Sequence, residues 1–222
     1  MRLLFIPGFG EDETIFENLH PLLPGEKIFL SFWKELPNKN SRQLNVAVFA
    51  KELVQKYGIT QKDVVIGHST GGWVALFFKQ FVQCPIVQIS SWTDPKKVVS
   101  PVANRHLVYF LAKTGFLFNK PVQQWLLKNK YRDKPSAPVF RDVFTNLING
   151  NKENVVNQLR LILAPVQETI TVRPDVVLHA RADTIVRFPD GKVNEVPGDH
   201  FALSTYPDLV AKPINQFLTS LS

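Results

Sequence analysis

The sequence predicts an α/β protein in three layers, with a mainly parallel β-sheet of about six strands between helices. Short apolar or β-branched runs alternate with amphipathic helical patterns along most of the 222 residues, and such alternation produces βαβ units. One run, Val64–Ile66, enters the glycine-rich pentapeptide Gly67–Gly71 and leaves as an apolar helical segment. This strand–turn–helix order supports the same fold class.

Six strands and five helices are predicted in order along the chain. The strand candidates are Arg2–Ile6, Lys27–Phe32, Asp63–Ile66, Ile86–Ile89, Asp175–Leu178 and Lys192–Val196. The helical candidates are Thr14–Leu23, Gln43–Tyr57, Thr70–Phe81, Val155–Leu163 and Pro207–Leu218. The Gln43–Tyr57 stretch has apolar residues at helical spacing and runs into Gly58, a typical helix C-cap.

The alternation of strands and helices breaks once, between Trp92 and about Gly150. Aromatic and aliphatic residues recur there at helical spacing, prolines such as Pro101 interrupt them, and no clear strand pattern occurs. We therefore predict one domain over residues 1–222, with a helical lid insert at about residues 93–150.

The same insert carries the whole formal charge excess. From Asp94 to Asp142 the chain has ten basic and three acidic residues, whereas the other sixteen basic and sixteen acidic residues balance, giving +7 in total. A basic segment attracts anionic partners or substrates through its field. A solvated face kept soluble by lysines would have the same composition, so both interpretations stay open.

The composition excludes several classes of protein. A hydrophobic content of 45% and a charged content of 20% are ordinary for a globular domain, and a single cysteine, Cys84, allows no intrachain disulfide. Leu3–Ile6 is too short for a signal-peptide core, and no apolar run could span a bilayer, so we expect a cytoplasmic protein. No P-loop, dinucleotide fingerprint, metal-ligand cluster or nucleic-acid-binding module is recognised, so no cofactor, metal or nucleic-acid partner is expected.

The most informative chemical motif is Gly67-His68-Ser69-Thr70-Gly71. Its position between a strand and a helix is the context of a nucleophile elbow, in which a tight turn exposes the serine hydroxyl. Small neighbours are needed in so tight a turn, and glycines supply them. The alternative is a serine that only caps the following helix.

A nucleophilic serine needs a base, and the base needs a group that orients it. Asp183 follows the fifth predicted strand and His200 follows the sixth, so the chain order is Ser69, Asp183, His200. Asp94, after the fourth strand, is the alternative acid. The competing histidines are His20, His68, His106 and His179. Of these, we interpret His68 as structural or as lining the site, His179 as structural, and His106 as a residue able to touch substrate.

Taken together, these motifs resemble the α/β-hydrolase family of serine esterases over nearly the whole chain outside the insert. The segments that carry the resemblance are Phe5–Gly10, Gly67–Gly72, Ala180–Val186 and Gly198–Phe201. The resemblance implies that Ser69 is the nucleophile, His200 the general base and acid, and Asp183 the residue that orients His200. It also implies an oxyanion hole made by the backbone amides of Phe9 and Thr70.

The sequence departs from this family in three places. The chain starts at what the family counts as an inner strand, so the usual first hairpin is missing and the sheet is expected to be wholly parallel. Pro7 stands where a histidine commonly precedes the oxyanion-hole glycine. Asp199 precedes His200 in place of a small residue, and a nearby carboxylate would raise the pKa of His200.

The resemblance implies hydrolysis of a carboxylic ester or thioester through an acyl-enzyme. The basic insert suits an acyl group carried on an anionic partner such as acyl carrier protein or coenzyme A, and Trp33, Trp92 and His106 are tentative pocket residues. A C–C bond hydrolase or lyase with the same triad is the alternative, and a non-catalytic binding protein is a third hypothesis. Lid arginines that could grip an anionic substrate in that alternative are Arg105, Arg132 and Arg141.

Overall fold

The computed structural model describes residues 1–99 and 102–221, so Ser100 and Pro101 of the predicted insert lie outside the described residues. Its strands are β1 (Arg2–Ile6), β2 (Glu26–Phe29), β3 (Val64–His68), β4 (Ile86–Ile89), β5 (Val176–His179) and β6 (Asn194–Glu195). They form a six-stranded sheet in the order β2-β1-β3-β4-β5-β6, and every described pair is parallel. The predicted fold class and the wholly parallel sheet are confirmed.

The helices cover both faces of this sheet and fill the interval between β4 and β5. They are α1 (Phe32–Glu35), α2 (Val46–Tyr57), α3 (Thr70–Val82), α4 (Arg105–Lys113), α5 (Lys120–Lys130), α6 (Ala137–Asn149), α7 (Lys152–Leu163), α8 (Ala202–Thr205) and α9 (Pro207–Ser220). Helices α4, α5 and α6 fall within the range predicted for the insert. Among the described helices, none combines the length and the apolar composition needed to cross a bilayer.

Several predicted elements differ in extent: the strand Lys192–Val196 is only Asn194–Glu195, and the helix Gln43–Tyr57 begins at Val46. Two others are wrong for a clear local reason. The predicted strand Lys27–Phe32 ends at Phe29, because Ser31 already precedes a short helix that begins at Phe32. The predicted helix Thr14–Leu23 is two short 3-10 turns, Glu13–Phe16 and His20–Leu22. Pro21 has no amide hydrogen and cannot continue an α-helical ladder, which explains the break.

The sheet separates two apolar cores. Leu3 and Phe5 face the core on the α8–α9 side, whereas Leu4 and Ile6 face the core that contains α2 and α3. This alternation follows from the two-residue period of a strand, and burial on both faces is typical of parallel sheets. Cys84 lies in the second core, where burial raises the pKa of its thiol to about 12, so it packs as a small apolar residue.

Candidate active site

Ser69 forms a sharp turn between the carboxyl end of β3 and the first turn of α3. Its φ of 49° lies in the left-handed region that non-glycine residues rarely adopt. A Cβ atom at Gly67 would overlap the backbone of Gly71, and one at Gly71 would overlap the carbonyl of Ile6. The turn is thus closed to larger side chains, and strain of this kind clusters at functional sites.

Asp183 and His200 are in direct contact, although 17 positions separate them in the sequence. The Asp183 Oδ2 atom lies 2.8 Å from Nδ1 of His200, and the Asp183 carboxylate is completely buried. The predicted contact between these two side chains is therefore present. The alternative acid, Asp94, is exposed and accepts a hydrogen bond from the backbone of Lys96 instead.

The second oxygen of Asp183 is held by its own loop. Oδ1 accepts hydrogen bonds from the amides of Ile185 and Val186, at 2.8 and 2.9 Å. Nε2 of His179 lies 3.3 Å from Oδ2 and 3.1 Å from the carbonyl of Val186, which it donates to. These contacts determine which carboxylate oxygen faces His200.

Burial and ion pairing act in opposite directions on this pair. Burial disfavours the charged imidazolium, but the charge and hydrogen bond of Asp183 outweigh it and raise the pKa of His200 above its ordinary value, with Glu11 and Asp199 adding to the increase. Burial likewise disfavours the Asp183 carboxylate, yet His200 and the hydrogen bond from Val186 keep its pKa below the usual range. A contribution of Asp199 in this direction agrees with the expectation from the sequence.

The raised pKa of His200 predicts a displaced acid limb in the pH profile of activity. In the general-base role that the resemblance implies, His200 accepts a proton only when it is neutral, so kcat/KM should rise with pH through a midpoint above about 6.5, the ordinary histidine pKa. The same increase in pKa stabilises the folded protein at low pH, and this contribution is lost as the pH rises through the raised value. The measurement is kcat/KM for a neutral ester between about pH 5 and 9; a midpoint below that of free histidine would contradict the prediction.

Ser69 is enclosed in this conformation. Ser69 and His200 are only 5% and 3% exposed, and within the described part of the chain no hydrogen bond to the Ser69 hydroxyl is formed. The expected hydrogen bond from Ser69 to His200 is thus not made here, whereas Nδ1 of His200 is held by Asp183. Such bonds often tighten only when substrate is bound.

The backbone amides of Phe9 and Thr70 have no acceptor among the described residues. The amides on either side of Phe9, in the loop after β1, both donate hydrogen bonds. Gly8 donates to Glu11 Oε2 at 2.5 Å, and Gly10 donates to Gln158 Oε1 at 2.9 Å. The two free amides are those that the resemblance assigns to an oxyanion hole.

Sequence reasoning missed Glu11 and Gln158 and underrated His68. All three side chains are buried, and Glu11 Oε2 lies 2.8 Å from Nδ1 of His68. Gln158 is on α7, far from the Gly8–Gly10 loop in sequence, and a glutamine on an amphipathic helix gives no signal of burial. Glu11 looks like any acidic residue of a polar loop.

The tentative pocket residues are not brought together with this site by any described contact. Trp92 is 2% exposed and stacks on Trp73 in the core, and its assignment to the substrate pocket stays a prediction. His106 is exposed at the start of α4 and contacts Tyr109. Trp33 packs over Gly150. The substrate roles of Trp33 and His106 stay predictions.

Ser69 does not line either of two cavities in the structure. One, of about 690 Å³, lies away from the site and is lined mainly by Asn40–Leu44 and residues of α2. A smaller one of about 170 Å³ borders Ser136 and Asp199.

Three side chains at the site could in principle hold a metal ion. Glu11, His68 and His200 each offer one ligand atom within 4.8 Å of the others. The hydrogen of the Gly8 amide points at the same Glu11 oxygen, which favours a proton over a metal ion there.

Residues of the predicted insert contact two loops at the site, the one that contains Phe9 and Gly10 and the one that contains Asp199 and His200. Phe118, between α4 and α5, packs on Phe9 with ring centroids 5.5 Å apart. Leu147 of α6 packs against Gly10 so closely that a Cβ atom added to Gly10 would lie 2.6 Å from its Cγ atom. At the other side, Ser136 Oγ donates to Asp199 Oδ2 at 2.6 Å, beside His200.

No family model matches the sequence and no curated protein matches it, but solved structures match its fold over nearly the whole chain. A thermophilic esterase from Thermogutta terrifontis superposes with a TM-score of 0.69 at 17% identity, covering 99% of this chain and 90% of the esterase. A hydrolase from Oleispira antarctica gives 0.70 at 12% identity, covering 98% and 90%. MenH from S. aureus gives 0.63 at 16% identity, covering 99% and 94%. The chain has the α/β-hydrolase fold.

Proposed function

We propose that the protein is a serine hydrolase that cleaves carboxylic esters or thioesters through an acyl-enzyme. The observation that carries this proposal is the buried Asp183–His200 hydrogen bond at the same sheet edge as the strained Ser69 turn. A binding protein has no need of a buried carboxylate that orients a histidine. The fold shared with an esterase supports the same class of reaction.

The proposed reaction uses the groups of the site in sequence. Ser69 Oγ attacks the substrate carbonyl while Nε2 of His200 takes the hydroxyl proton, and Asp183 stabilises the imidazolium that forms. The free amides of Phe9 and Thr70 donate to the developing oxyanion, a large term in such reactions. His200 then protonates the leaving alcohol or thiol, and later removes a proton from the water that hydrolyses the acyl-enzyme.

The insert, in this proposal, is a lid. Two of its contacts support this proposal: Phe118 packs on Phe9, and Ser136 bonds to Asp199, the neighbour of His200. Because Ser69 is only 5% exposed beneath it, substrate entry requires these contacts to separate. Lid opening of this kind commonly gates substrate binding.

We further propose that the lid attracts an acyl group carried on an anionic partner, such as acyl carrier protein or coenzyme A. Seven of its ten basic side chains form no ion pair among the described residues, and all seven are exposed. They are Lys96, Arg105, Lys120, Lys128, Lys130, Arg132 and Arg141. Unpaired exposed charges of one sign raise the local concentration of an oppositely charged partner.

Salt dependence tests the anionic partner. From about 0.05 to 0.5 M NaCl, kcat/KM for an acyl-coenzyme A should fall severalfold, because screening removes the attraction. Activity on a neutral short ester should change little, and this ester is the control. Replacing Lys128 and Lys130 by glutamine should reduce the salt effect. Equal salt sensitivity of both substrates would contradict the anionic partner while leaving the hydrolase intact.

The lyase or C–C hydrolase alternative gains no specific support. Arg105, Arg132 and Arg141, which would have to grip an anionic substrate, are all exposed, and none makes a described contact with Ser69 or His200. A panel of p-nitrophenyl esters of increasing acyl length tests the ester hydrolase. Turnover of at least one ester supports it; no turnover of any, by a protein whose Ser69 reacts with a fluorophosphonate, would favour the alternative.

A further inference from the structure

We propose that Glu11 and His68 form a buried pair that shares one proton and positions the reacting groups, a role that rests on the hydrolase function proposed above. The two residues are 2% and 0% exposed, and buried ionisable groups are costly unless they are paired. Glu11 Oε2 lies 2.8 Å from Nδ1 of His68. Neither side chain is part of the Asp183–His200 contact.

The pair joins the three segments that supply the reacting groups. Glu11 Oε2 accepts the amide of Gly8, which adjoins the free amide of Phe9. His68 precedes Ser69, and its Nε2 lies 2.9 Å from the backbone carbonyl of His200. A continuous chain of hydrogen bonds therefore runs from the oxyanion-hole loop, through the elbow, to the backbone of the proposed base.

The hydrogen-bond partners determine how many protons the pair holds. A carbonyl only accepts, so Nε2 of His68 must carry a hydrogen to bond to His200. The Nδ1–Oε2 contact then needs one more hydrogen, either on His68 as an imidazolium or on Glu11 as a carboxylic acid. The pair is electrically neutral in both cases, which is how it can be buried without a further counter-ion.

Glutamine cannot replace Glu11 here, although it has the same shape. One atom, Oε2, both accepts the Gly8 amide and faces Nδ1 of His68. An amide oxygen at that position would need a charged His68 with no carboxylate to balance it. An amide nitrogen would face the Gly8 hydrogen as a second donor. The loop and the Glu11 carboxylate are in close contact, since a Cβ atom built on Gly8 would lie only 2.8 Å from Oε2. Gly8 therefore has little room to move away from an unfavourable amide group.

We expect Glu11→Gln to lower kcat by roughly 10- to 100-fold on a p-nitrophenyl ester, with KM within about twofold, because a shift of about 1 Å at the reacting groups has effects of this size. His68→Leu should give a similar loss. The double variant should cost no more than either single change, since both interrupt one chain of contacts. Glu13→Gln, at an exposed glutamate of the same segment, is the matched control and should leave kcat unchanged.

Outcomes that would overturn the pair are specific. A loss confined to KM, or losses that multiply in the double variant, would show that Glu11 and His68 do not act as one positioning unit. Circular dichroism and thermal melting establish that each variant is folded. If the wild-type protein neither hydrolyses esters nor labels at Ser69 with a fluorophosphonate, the proposed function fails instead, and this is seen before any variant is made.

The proton itself can be observed without turnover. In the 15N-labelled wild-type protein, NMR should show Nε2 of His68 protonated and a low-field proton in the His68–Glu11 contact, distinct from the one between His200 and Asp183. Glu11→Gln should remove the low-field signal of the His68–Glu11 contact and keep the signal of the His200–Asp183 contact. A His68 ring that carries its only proton on Nδ1 would overturn the proposal, even if Glu11→Gln failed to fold.

Discussion

Ser69→Ala should abolish the proposed ester hydrolysis, with kcat lower by roughly 10⁴-fold or more, as when the nucleophile of a serine hydrolase is removed. The same change should abolish labelling by a fluorophosphonate probe. Stability should hardly change, because the Ser69 hydroxyl makes no described hydrogen bond, and its backbone carbonyl still accepts from Ser91 at 2.7 Å. Alanine also meets the same steric cost as serine at a φ of 49°.

The comparison of activity with stability makes this experiment decisive. Ser220→Ala, at an exposed serine near the end of α9, is the control and should keep both labelling and turnover. Labelling that survived Ser69→Ala would remove Ser69 as the nucleophile. A large fall in melting temperature together with the lost activity would instead indicate a structural role for the hydroxyl.

Asp183→Asn should lower kcat by roughly 10⁴-fold, the size of the corresponding change in a serine protease of another fold. The reason lies in the hydrogen bonds of the loop. Because the Ile185 and Val186 amides both donate to Oδ1, the oxygen of asparagine stays there and its NH₂ group replaces Oδ2. That group donates to Nδ1 of His200, so the imidazole proton moves to Nε2, where the base must be free.

The same variant should also lose some stability, since its NH₂ group faces Nε2 of His179, another donor. Kinetics with a p-nitrophenyl ester and thermal melting measure the two effects. Asp94→Asn is the matched control, because Asp94 is the alternative acid and lies exposed on the surface. A greater loss of kcat in Asp94→Asn than in Asp183→Asn would reverse the assignment of the orienting acid.

Most of the sheet could be predicted, because strand patterns are local. Ile86–Ile89 and Arg2–Ile6 have the predicted bounds. Apart from Arg2 and Gln88 both strands are apolar, and each has a parallel strand on either side. Thr14–Leu23 was mispredicted as one helix. Its apolar spacing fits a helix, but Pro21 and the packing of two short turns against the sheet decide the backbone there.

The sequence by itself determined the strand–turn–helix at Ser69, because apolar patterns and small residues mark such a turn within a few positions. The need for glycine is only partly local: a Cβ atom at Gly67 would overlap Gly71, but one at Gly71 would overlap Ile6 of β1.

The sequence also narrowed the acid and base to a short set of candidates. Only the tertiary structure shows which carboxylate contacts the histidine: Asp183, and not Asp94, lies against His200. The tertiary structure also buried Glu11 against His68, 57 positions away. Burial and long-range hydrogen bonds depend on how distant segments pack, and no local pattern in the chain records that packing.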